Sequence, residues 1–311
     1  MLLTACASRP LQYPNVVPPQ AIPFERMQSD KPIVALVLGS GGERGFAHVG
    51  VIKALEENGI RADLVVGTSA GSVVGALYAG GFNSEQLEQL ALALDREKLN
   101  DFELSKRGYL RGDQLQDFIN RALHNRSIEQ LQIPFIAVAT QLSSGNAIAF
   151  NRGNTGLAAR ASSSIPGVFI PATIEGLEYV DGDLKKPVAV SVAREMGADV
   201  VIAVDISEQP KDHKTLEDVI DTLNQSIRIM RQSILSCEME SAQIVIRPLI
   251  GITPDTDLAG KSKMIQQGEE AAKMALPKIR ELLKKSEKEK QGDRIGNLDW
   301  DAKHAALRCN T

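Results

Sequence analysis

The sequence predicts an α/β fold in which a mostly parallel sheet carries helices on both of its faces. From Lys31 onward, short apolar runs of strand length alternate with longer segments of helical periodicity. The runs at 33–38 and 200–204 are apolar at every position, as is typical of strands buried on both faces. Alternation of this kind predicts crossover helices above and below the sheet, and therefore three layers.

The first elements follow one another closely. The strand at 33–38 leads to a helix at about 46–57, whose apolar residues share one face and which Gly59 ends. A second strand at 64–67 leads into a helix-like run at 72–79.

The later elements continue the alternation. Further strands are predicted at 135–140, 147–150, 200–204 and 243–247, and further helices at 84–96, 112–124, 215–240 and 262–285. The charged residues after 285 predict a solvated C-terminal tail, 286–311. The folded domain is therefore expected to span residues 32–285.

Composition narrows the class of protein. Hydrophobic residues make up 43% of the 311 residues and charged residues 24%, so the chain can bury a full core. The formal charge of −4 gives no reason to expect a nucleic acid partner. The three cysteines (Cys6, Cys237 and Cys309) are too scattered for a disulfide framework, and no Cys/His cluster predicts a metal site. We expect neither a metal nor a cofactor, and the oligomeric state stays open.

Residues 67–71 carry the most informative motif, Gly-Thr-Ser-Ala-Gly. The motif lies between a predicted strand and a predicted helix, which is the context of a nucleophile elbow around Ser69. Gly67 and Gly71 flank the serine because the turn is too tight for neighbouring side chains. The alternative is a tight turn with a buried, capping serine.

A glycine-rich segment at 39–45 follows the first strand and opens a helix. Its backbone N–H groups and the helix N-terminus form a cradle for negative charge, either a phosphate or the oxyanion of an acyl intermediate. A dinucleotide-binding frame needs glycine at position 44, where this chain has Arg44. That frame also expects an acidic residue after the second strand, whereas Asp63 precedes it. The spacing therefore favours the oxyanion.

A nucleophile also needs a base, and Asp181 is the candidate. Residues 179–183, Tyr-Val-Asp-Gly-Asp, form an apolar strand end that leads into an Asp-Gly turn. The alternative is that Asp181 only builds this turn.

Together the three segments resemble the patatin-like phospholipase family, in particular its bacterial branch related to the catalytic domain of neuropathy target esterase. That family carries a Gly-rich oxyanion loop with Arg or Lys, a G-x-S-x-G elbow and a D-G-G/A triplet, in this order. Here these are residues 41–45, 67–71 and 181–183. The resemblance covers roughly residues 32–285.

The resemblance implies a patatin-like three-layer fold and a Ser–Asp dyad that hydrolyses lipid acyl esters, as a phospholipase or lysophospholipase does. Ser69 would attack the ester carbonyl, and Asp181 would accept its proton and return it to the leaving alcohol. The implied oxyanion loop consists of Gly41, Gly42, Glu43, Arg44 and Gly45. Arg44 either braces this loop or adds positive potential near a phosphate-bearing substrate.

Two residues depart from the family pattern. Glu43 occupies a loop position that is more often small or apolar, and we expect it to point outward or pair with Arg44. Asp183 replaces the usual Gly or Ala, and we expect its charge to raise the pKa of Asp181. These departures keep open an alternative function, a weakly active or inactive lipid-binding protein on the same fold.

Histidines are not needed for a dyad. We expect His48, early in the first helix, to be a structural histidine. A Ser–Asp–His triad of the α/β-hydrolase type would need a histidine after Asp181, and only His213 and His304 follow it.

The first 31 residues differ from the rest of the chain. Residues 3–6, Leu-Thr-Ala-Cys, are similar to the lipobox of bacterial lipoproteins, in which the cysteine receives lipid. A proline-rich stretch up to Pro32 follows and is typical of an extended tether. Only two residues precede the box, so we expect the true start upstream. The expectation is a bacterial cell-envelope lipoprotein anchored to a membrane surface through Cys6.

Overall fold

A mixed sheet forms the centre of the fold. The computed structural model describes residues 17–103, 105–208, 219–251 and 256–293. The strands of this sheet are β1 Val34–Leu38, β2 Leu64–Thr68, β3 Phe135–Gln141, β4 Ala147–Phe150, β5 Ala172–Ile174, β6 Leu177–Asp181, β7 Val200–Val204 and β8 Ile244–Ile246. The helices around it are α1 Phe46–Glu57, α2 Ala70–Ala79, α3 Ser84–Ala93, α4 Asp113–Ala122, α5 Thr155–Ser162, α6 Val190–Glu195, α7 Val219–Glu240 and α8 Leu258–Asp293.

The sheet has a parallel part and an antiparallel edge. The strand order is β5-β6-β3-β2-β1-β7-β8, and β4 also pairs with β3. The strands from β3 to β8 in this order are parallel, whereas β4 and β6 run antiparallel to β3, and β5 runs antiparallel to β6. Glu175 and Gly176 join β5 to β6 with φ values of 50° and 79°, and positive φ at both positions is typical of a two-residue hairpin turn.

Alternating side chains of each strand pack into two separate cores. Leu36 of β1 and Ile52 of α1 belong to the core on one face of the sheet. Val37 of β1 and Leu235 of α7 belong to the core on the other face. The predicted three-layer arrangement is therefore confirmed.

Helices α1 and α8 touch backbone to backbone. A Cβ atom on Gly50 would lie 1.8 Å from the carbonyl oxygen of Ile265, and one on Gly268 would lie 2.0 Å from that of Ala47. Only glycine permits this approach. Because α1 begins directly after the glycine-rich loop, this contact fixes the helix that carries the loop.

The last helix is longer than predicted. The helix expected at 262–285 extends over Leu258–Asp293, so its predicted bounds were wrong and the first part of the predicted charged tail is helical. Glutamate and lysine are good helix formers, and Lys285 and Glu289 form an ion pair one turn apart, 3.8 Å between charged atoms.

Several predicted features lie outside the described residues. These are Cys6, the first part of the tether, the predicted start of the helix at 215, His213 and His304. Anchoring through Cys6 stays a prediction. Among the residues that are described, no helix combines the length and the apolar composition needed to cross a membrane.

Replacing Gly50 by alanine tests the close helix contact. Gly50→Ala should lower the free energy of unfolding by about 2 kcal/mol, because the cost of separating two packed backbones exceeds the helix propensity that alanine gains. Urea denaturation measures the change. Gly251→Ala is the matched control, since a Cβ atom there meets nothing within 4 Å. An equal loss in both variants would contradict the contact.

Candidate active site

Ser69 lies in the turn between β2 and α2. β2 ends at Thr68 and α2 begins at Ala70, so one residue makes the whole turn. Ser69 has φ 53° and ψ −124°, a conformation that L-residues rarely adopt. Its backbone N–H donates to Ser162 Oγ at 2.9 Å, and this bond holds the turn in place.

Two glycines make this turn possible. A Cβ atom on Gly67 would lie 2.5 Å from the carbonyl oxygen of Gly71. A Cβ atom on Gly71 would lie 2.0 Å from the carbonyl oxygen of Leu38, at the end of β1. Both glycines of the predicted elbow therefore lie where neighbouring backbone leaves no room for a side chain.

Asp181 meets Ser69 at the end of β6. Ser69 Oγ donates a hydrogen bond of 2.7 Å to Asp181 Oδ2, although the two residues are 112 positions apart. Thr140 Oγ1 donates to the carbonyl oxygen of Asp181 at 2.9 Å. Gly182 must be glycine because a Cβ atom there would lie 2.1 Å from the carbonyl oxygen of Val138. The sequence pair Asp-Gly thus lets β6 end tightly against β3.

Burial changes the acidity of this carboxyl group. Burial, followed by the nearby charge of Asp183, raises the pKa of Asp181 to about 7. Hydrogen bonds from Ser69 and from the N–H of Asp183, and the charge of Arg231, oppose the rise. The expected effect of Asp183 is confirmed. A carboxyl group with a pKa near neutrality suits the exchange of a proton with a neighbouring hydroxyl.

Asp183 joins three parts of the site. Its Oδ1 accepts a hydrogen bond from Ser40 Oγ in the glycine-rich loop. Its Oδ2 lies 3.3 Å from Nη1 of Arg231 on α7. Arg231 was not found from the sequence, because it lies in a helix without any motif. Asp183 is therefore a paired carboxylate that links the turn after Asp181 to the glycine-rich loop and to α7.

The glycine-rich loop is held by its backbone. The N–H of Gly39 donates to the carbonyl oxygen of Val204 at 3.0 Å, and the N–H of Ser40 donates to the carbonyl oxygen of Pro187 at 2.8 Å. Among the described residues, no acceptor contacts the N–H groups of Gly41 and Gly42. A Cβ atom on Gly41 would lie 2.7 Å from Ile206, so the loop also needs glycine there. The two N–H groups are the candidate donors to an oxyanion.

Arg44 is buried beneath this loop. Its Nη2 donates to the carbonyl oxygen of Gly251 at 2.9 Å and lies 3.1 Å from Glu208 Oε1. The sequence left two roles open for Arg44, to brace the loop or to add positive potential near a substrate. These contacts favour the first. Glu43, half-buried, lines the space in front of Ser69.

His48 is structural, as expected. It is fully buried, and burial lowers its pKa to about 4, so the ring is neutral at pH 7. Nε2 lies 2.8 Å from the carbonyl oxygen of Gly39, and since a carbonyl only accepts, Nε2 carries the proton. His48 thus holds the start of the loop, while the Ser69 hydroxyl bonds directly to Asp181.

Two cavities meet at Ser69. One, of about 380 Å³, contains Ser69 and Asp181 and has many charged side chains in its wall, so we name it the polar cavity. Its charged lining consists of Arg44, Asp181, Asp183, Glu208, Arg228 and Arg231, together with Glu43. The other, of about 420 Å³, is lined mainly by apolar side chains, among them Phe46, Val73, Leu77, Leu90, Phe118 and Phe169. In the part of the chain that is described, no group of three His, Cys, Asp or Glu side chains is arranged to hold a metal ion.

The raised pKa of Asp181 should make the stability of the protein depend on pH. In the native state the carboxyl group keeps its proton up to about pH 7, whereas in the unfolded chain it loses the proton near its ordinary pKa of 3.8. Stability therefore falls as pH rises between these values. Asp181→Asn removes this loss, and its free energy of unfolding should exceed that of the wild type by about 2 kcal/mol at pH 8.

Urea denaturation from pH 4 to pH 8 measures this effect. The stability difference between Asp181→Asn and the wild type should shrink toward pH 4, because the unfolded wild-type chain then also binds the proton that the native state already holds. An advantage that does not change with pH would contradict the raised pKa.

The chain is similar to known proteins over the region that contains Ser69 and Asp181. The family model described as patatin-like phospholipase matches residues 36–194, which include Ser69 and Asp181. An uncharacterized NTE family protein of Mycobacterium tuberculosis is 39% identical over 182 residues, 58% of this chain and 50% of that protein. Lysophospholipase NTE1 of Coccidioides immitis is 35% identical over 185 residues, 56% of this chain and 11% of that protein.

The matched region is only part of each relative. The chain spans half the length of the mycobacterial relative. Among solved structures, VipD of Legionella pneumophila has a similar fold, with a TM-score of 0.53 and 14% identity over 91% of this chain and 72% of that chain. The family model covers half of the chain and contains the three motifs. The chain therefore belongs to the patatin-like phospholipase family.

Proposed function

We propose that this protein is a serine hydrolase that cleaves lipid acyl esters through a dyad of Ser69 and Asp181. The observation that carries the proposal is the 2.7 Å hydrogen bond between the two side chains, at the junction of a polar and an apolar cavity. Membership of the patatin-like phospholipase family supports the same class of reaction.

Acylation begins with the hydroxyl of Ser69. As Oγ attacks the ester carbonyl carbon, its proton passes to Asp181 Oδ2 along the existing hydrogen bond. The carbonyl oxygen becomes an oxyanion, and the N–H groups of Gly41 and Gly42 donate to it. Arg44 keeps these donors in place through its contacts with Gly251 and Glu208.

The intermediate then collapses. The carbon–oxygen bond to the alcohol breaks, and Asp181 returns the proton to the leaving oxygen. This step leaves an acyl group on Ser69. A water molecule then attacks the acyl carbon and gives a proton to Asp181. As the bond from that carbon to Ser69 Oγ breaks, Asp181 returns this proton to Oγ, and the fatty acid leaves.

The two cavities suit the two halves of a lipid ester. The apolar cavity is wide and hydrocarbon-lined, so it takes the acyl chain. The polar cavity, with Arg228 and Arg231 in its wall, takes the alcohol part. The name of the fungal relative, a lysophospholipase, supports a lipid ester substrate.

The alternative function, a weakly active or inactive lipid-binding protein, rested on Glu43 and Asp183. Arg231 pairs with Asp183, and the charge that remains raises the pKa of Asp181, which weakens the base at low pH but removes no required group. Glu43 lines both cavities next to Ser69 and remains the feature that favours this alternative.

A fluorophosphonate probe tests the nucleophile. The wild type should be labelled, Ser69→Ala should not, and Asp181→Asn should react at least about 100-fold more slowly, because the base that activates the hydroxyl is gone. Labelling is followed by in-gel fluorescence, and the site is identified by mass spectrometry of the modified peptide.

Ser144→Ala is the matched control for nonspecific serine labelling. Ser144 lies exposed in the turn between β3 and β4, and this variant should react like the wild type. Each variant must show a cooperative unfolding transition. Absence of labelling in folded wild-type protein would reject the hydrolase and favour the lipid-binding alternative.

Asp183 should set the acid limb of the pH profile. Asp181 acts as a base only when ionised, so kcat/KM for p-nitrophenyl butyrate should rise with pH through about 7 in the wild type. Asp183→Asn removes the repulsion that raises the pKa of Asp181, and the midpoint should move to lower pH. A loss of activity at every pH with an unchanged midpoint would mean that Asp183 acts only on structure.

A further inference from the structure

Large apolar side chains are exposed near the mouth of the active site. On the segments that follow α3 and α5, Phe102 is 77% exposed, Tyr109 64%, Val168 41% and Ile165 38%. Apolar side chains gathered at one place on a surface usually mark a contact with another molecule.

A second set lies on α7. Leu223 is 58% exposed, Ile227 36% and Met230 59%. These residues are four and three positions apart, so they share one face of the helix. Ile227 also lines the polar cavity.

The two sets flank the same opening. Ile165 lines both cavities, Val168 lines the apolar one, and Ile227 lines the polar one. We name these seven residues the apolar rim: Phe102, Tyr109, Ile165, Val168, Leu223, Ile227 and Met230. Members of both sets therefore line the cavities through which a substrate reaches Ser69.

Backbone hydrogen bonds hold part of the rim in shape. The N–H groups of Tyr109 and Leu110 donate to the carbonyl oxygen of Val168 at 2.9 and 3.0 Å. The N–H of Ile170 donates to the carbonyl oxygen of Leu110 at 2.8 Å. The segments that carry Phe102, Tyr109 and Val168 are therefore fixed to one another before anything docks.

Cations accompany the rim. Lys106 is exposed between Phe102 and Tyr109, and Lys185 is exposed directly after Leu184, which lines the polar cavity. In the described ranges neither lysine forms an ion pair. Apolar side chains with free lysines beside them match an anionic lipid surface, where the chains enter the interface and the ammonium groups meet phosphates.

We propose that the apolar rim docks this protein on the surface of an anionic lipid bilayer, with the mouth of the active site facing the lipid. The proposal rests on the proposed function for the role of the cavities. Docking in this orientation lets an acyl chain pass from the bilayer into the apolar cavity without crossing water. A second copy of the chain on the same surface would instead close the opening to Ser69.

Vesicle binding tests the rim. The full chain carrying Ser69→Ala is sedimented with vesicles of equal parts phosphatidylcholine and phosphatidylglycerol, so that binding is measured without hydrolysis. Adding Phe102→Ser, Tyr109→Ser, Leu223→Ser and Met230→Ser should weaken binding at least about tenfold, because four interfacial side chains are lost. Adding Lys106→Ala and Lys185→Ala instead should weaken binding to these vesicles but not to phosphatidylcholine alone.

Two methionines give a matched pair. Met230 on the rim is 59% exposed, and Met274 on α8 is 74% exposed. Met274 lies 13 residues beyond Lys261, which lines the apolar cavity, or about 20 Å along the helix. Met230→Ser should weaken vesicle binding, whereas Met274→Ser should leave it unchanged. Equal losses in the two variants would overturn the proposal.

Hydrolysis of a soluble ester separates docking from catalysis. None of the four residues that are replaced by serine lines either of the two cavities. With Ser69 intact, the fourfold variant should therefore hydrolyse p-nitrophenyl butyrate at a rate within about twofold of the wild type. Normal binding without any hydrolysis would reject the proposed function and keep the docking surface. No binding by the unsubstituted rim, or a dimer in sedimentation velocity that the four substitutions dissociate, would overturn the docking surface.

Discussion

The hydrogen bond between Ser69 Oγ and Asp181 Oδ2 is the interaction on which the rest of the site depends. It lies in the interior, where an ionised carboxylate is costly unless other groups compensate it. The compensation is partial, because the N–H of Asp183 and the charge of Arg231 favour the ionised form while burial and the charge of Asp183 oppose it. The balance leaves Asp181 close to the point at which it can both take and return a proton. The raised pKa of Asp181 lowers the stability of the folded protein near neutral pH, but it lets this carboxyl group exchange a proton there.

Close backbone contacts bring the two residues together. Gly71 allows α2 to begin against the end of β1, and Gly182 allows β6 to end against β3. These contacts cannot stretch to admit a side chain, so the serine turn and the aspartate turn have a fixed relation across β2, β3 and β6. Gly50 and Gly268 act in the same way for the loop, since they fix the helix that follows it. The geometry of the site is therefore set by backbone packing, and the side chains complete it.

The sequence was sufficient wherever a local motif dictates the backbone. Ser69 and Asp181 stand in such motifs. The strand and helix around Ser69 and the strand end and turn at Asp181 were predicted for the same reason. The partner of Asp183 could not be found in this way, because Arg231 lies 48 residues further on in a helix whose register against the site depends on the whole fold. β5 and α6, with 3 and 6 residues, are too short to show a periodicity. The two cavities are formed by side chains from many segments and have no pattern in the sequence.

The central claim is that Asp181 is the direct proton acceptor of Ser69, and the acidity of its carboxyl group tests this claim most directly. Carbon-13 NMR of protein labelled at the aspartate carboxyl carbon follows each group as the pH changes, and the spectrum of Asp181→Asn assigns the signal. We expect one carboxyl group that titrates near pH 7 and is missing in the variant. If the signal that the variant lacks titrates below about pH 5, like an ordinary aspartate, the account is contradicted.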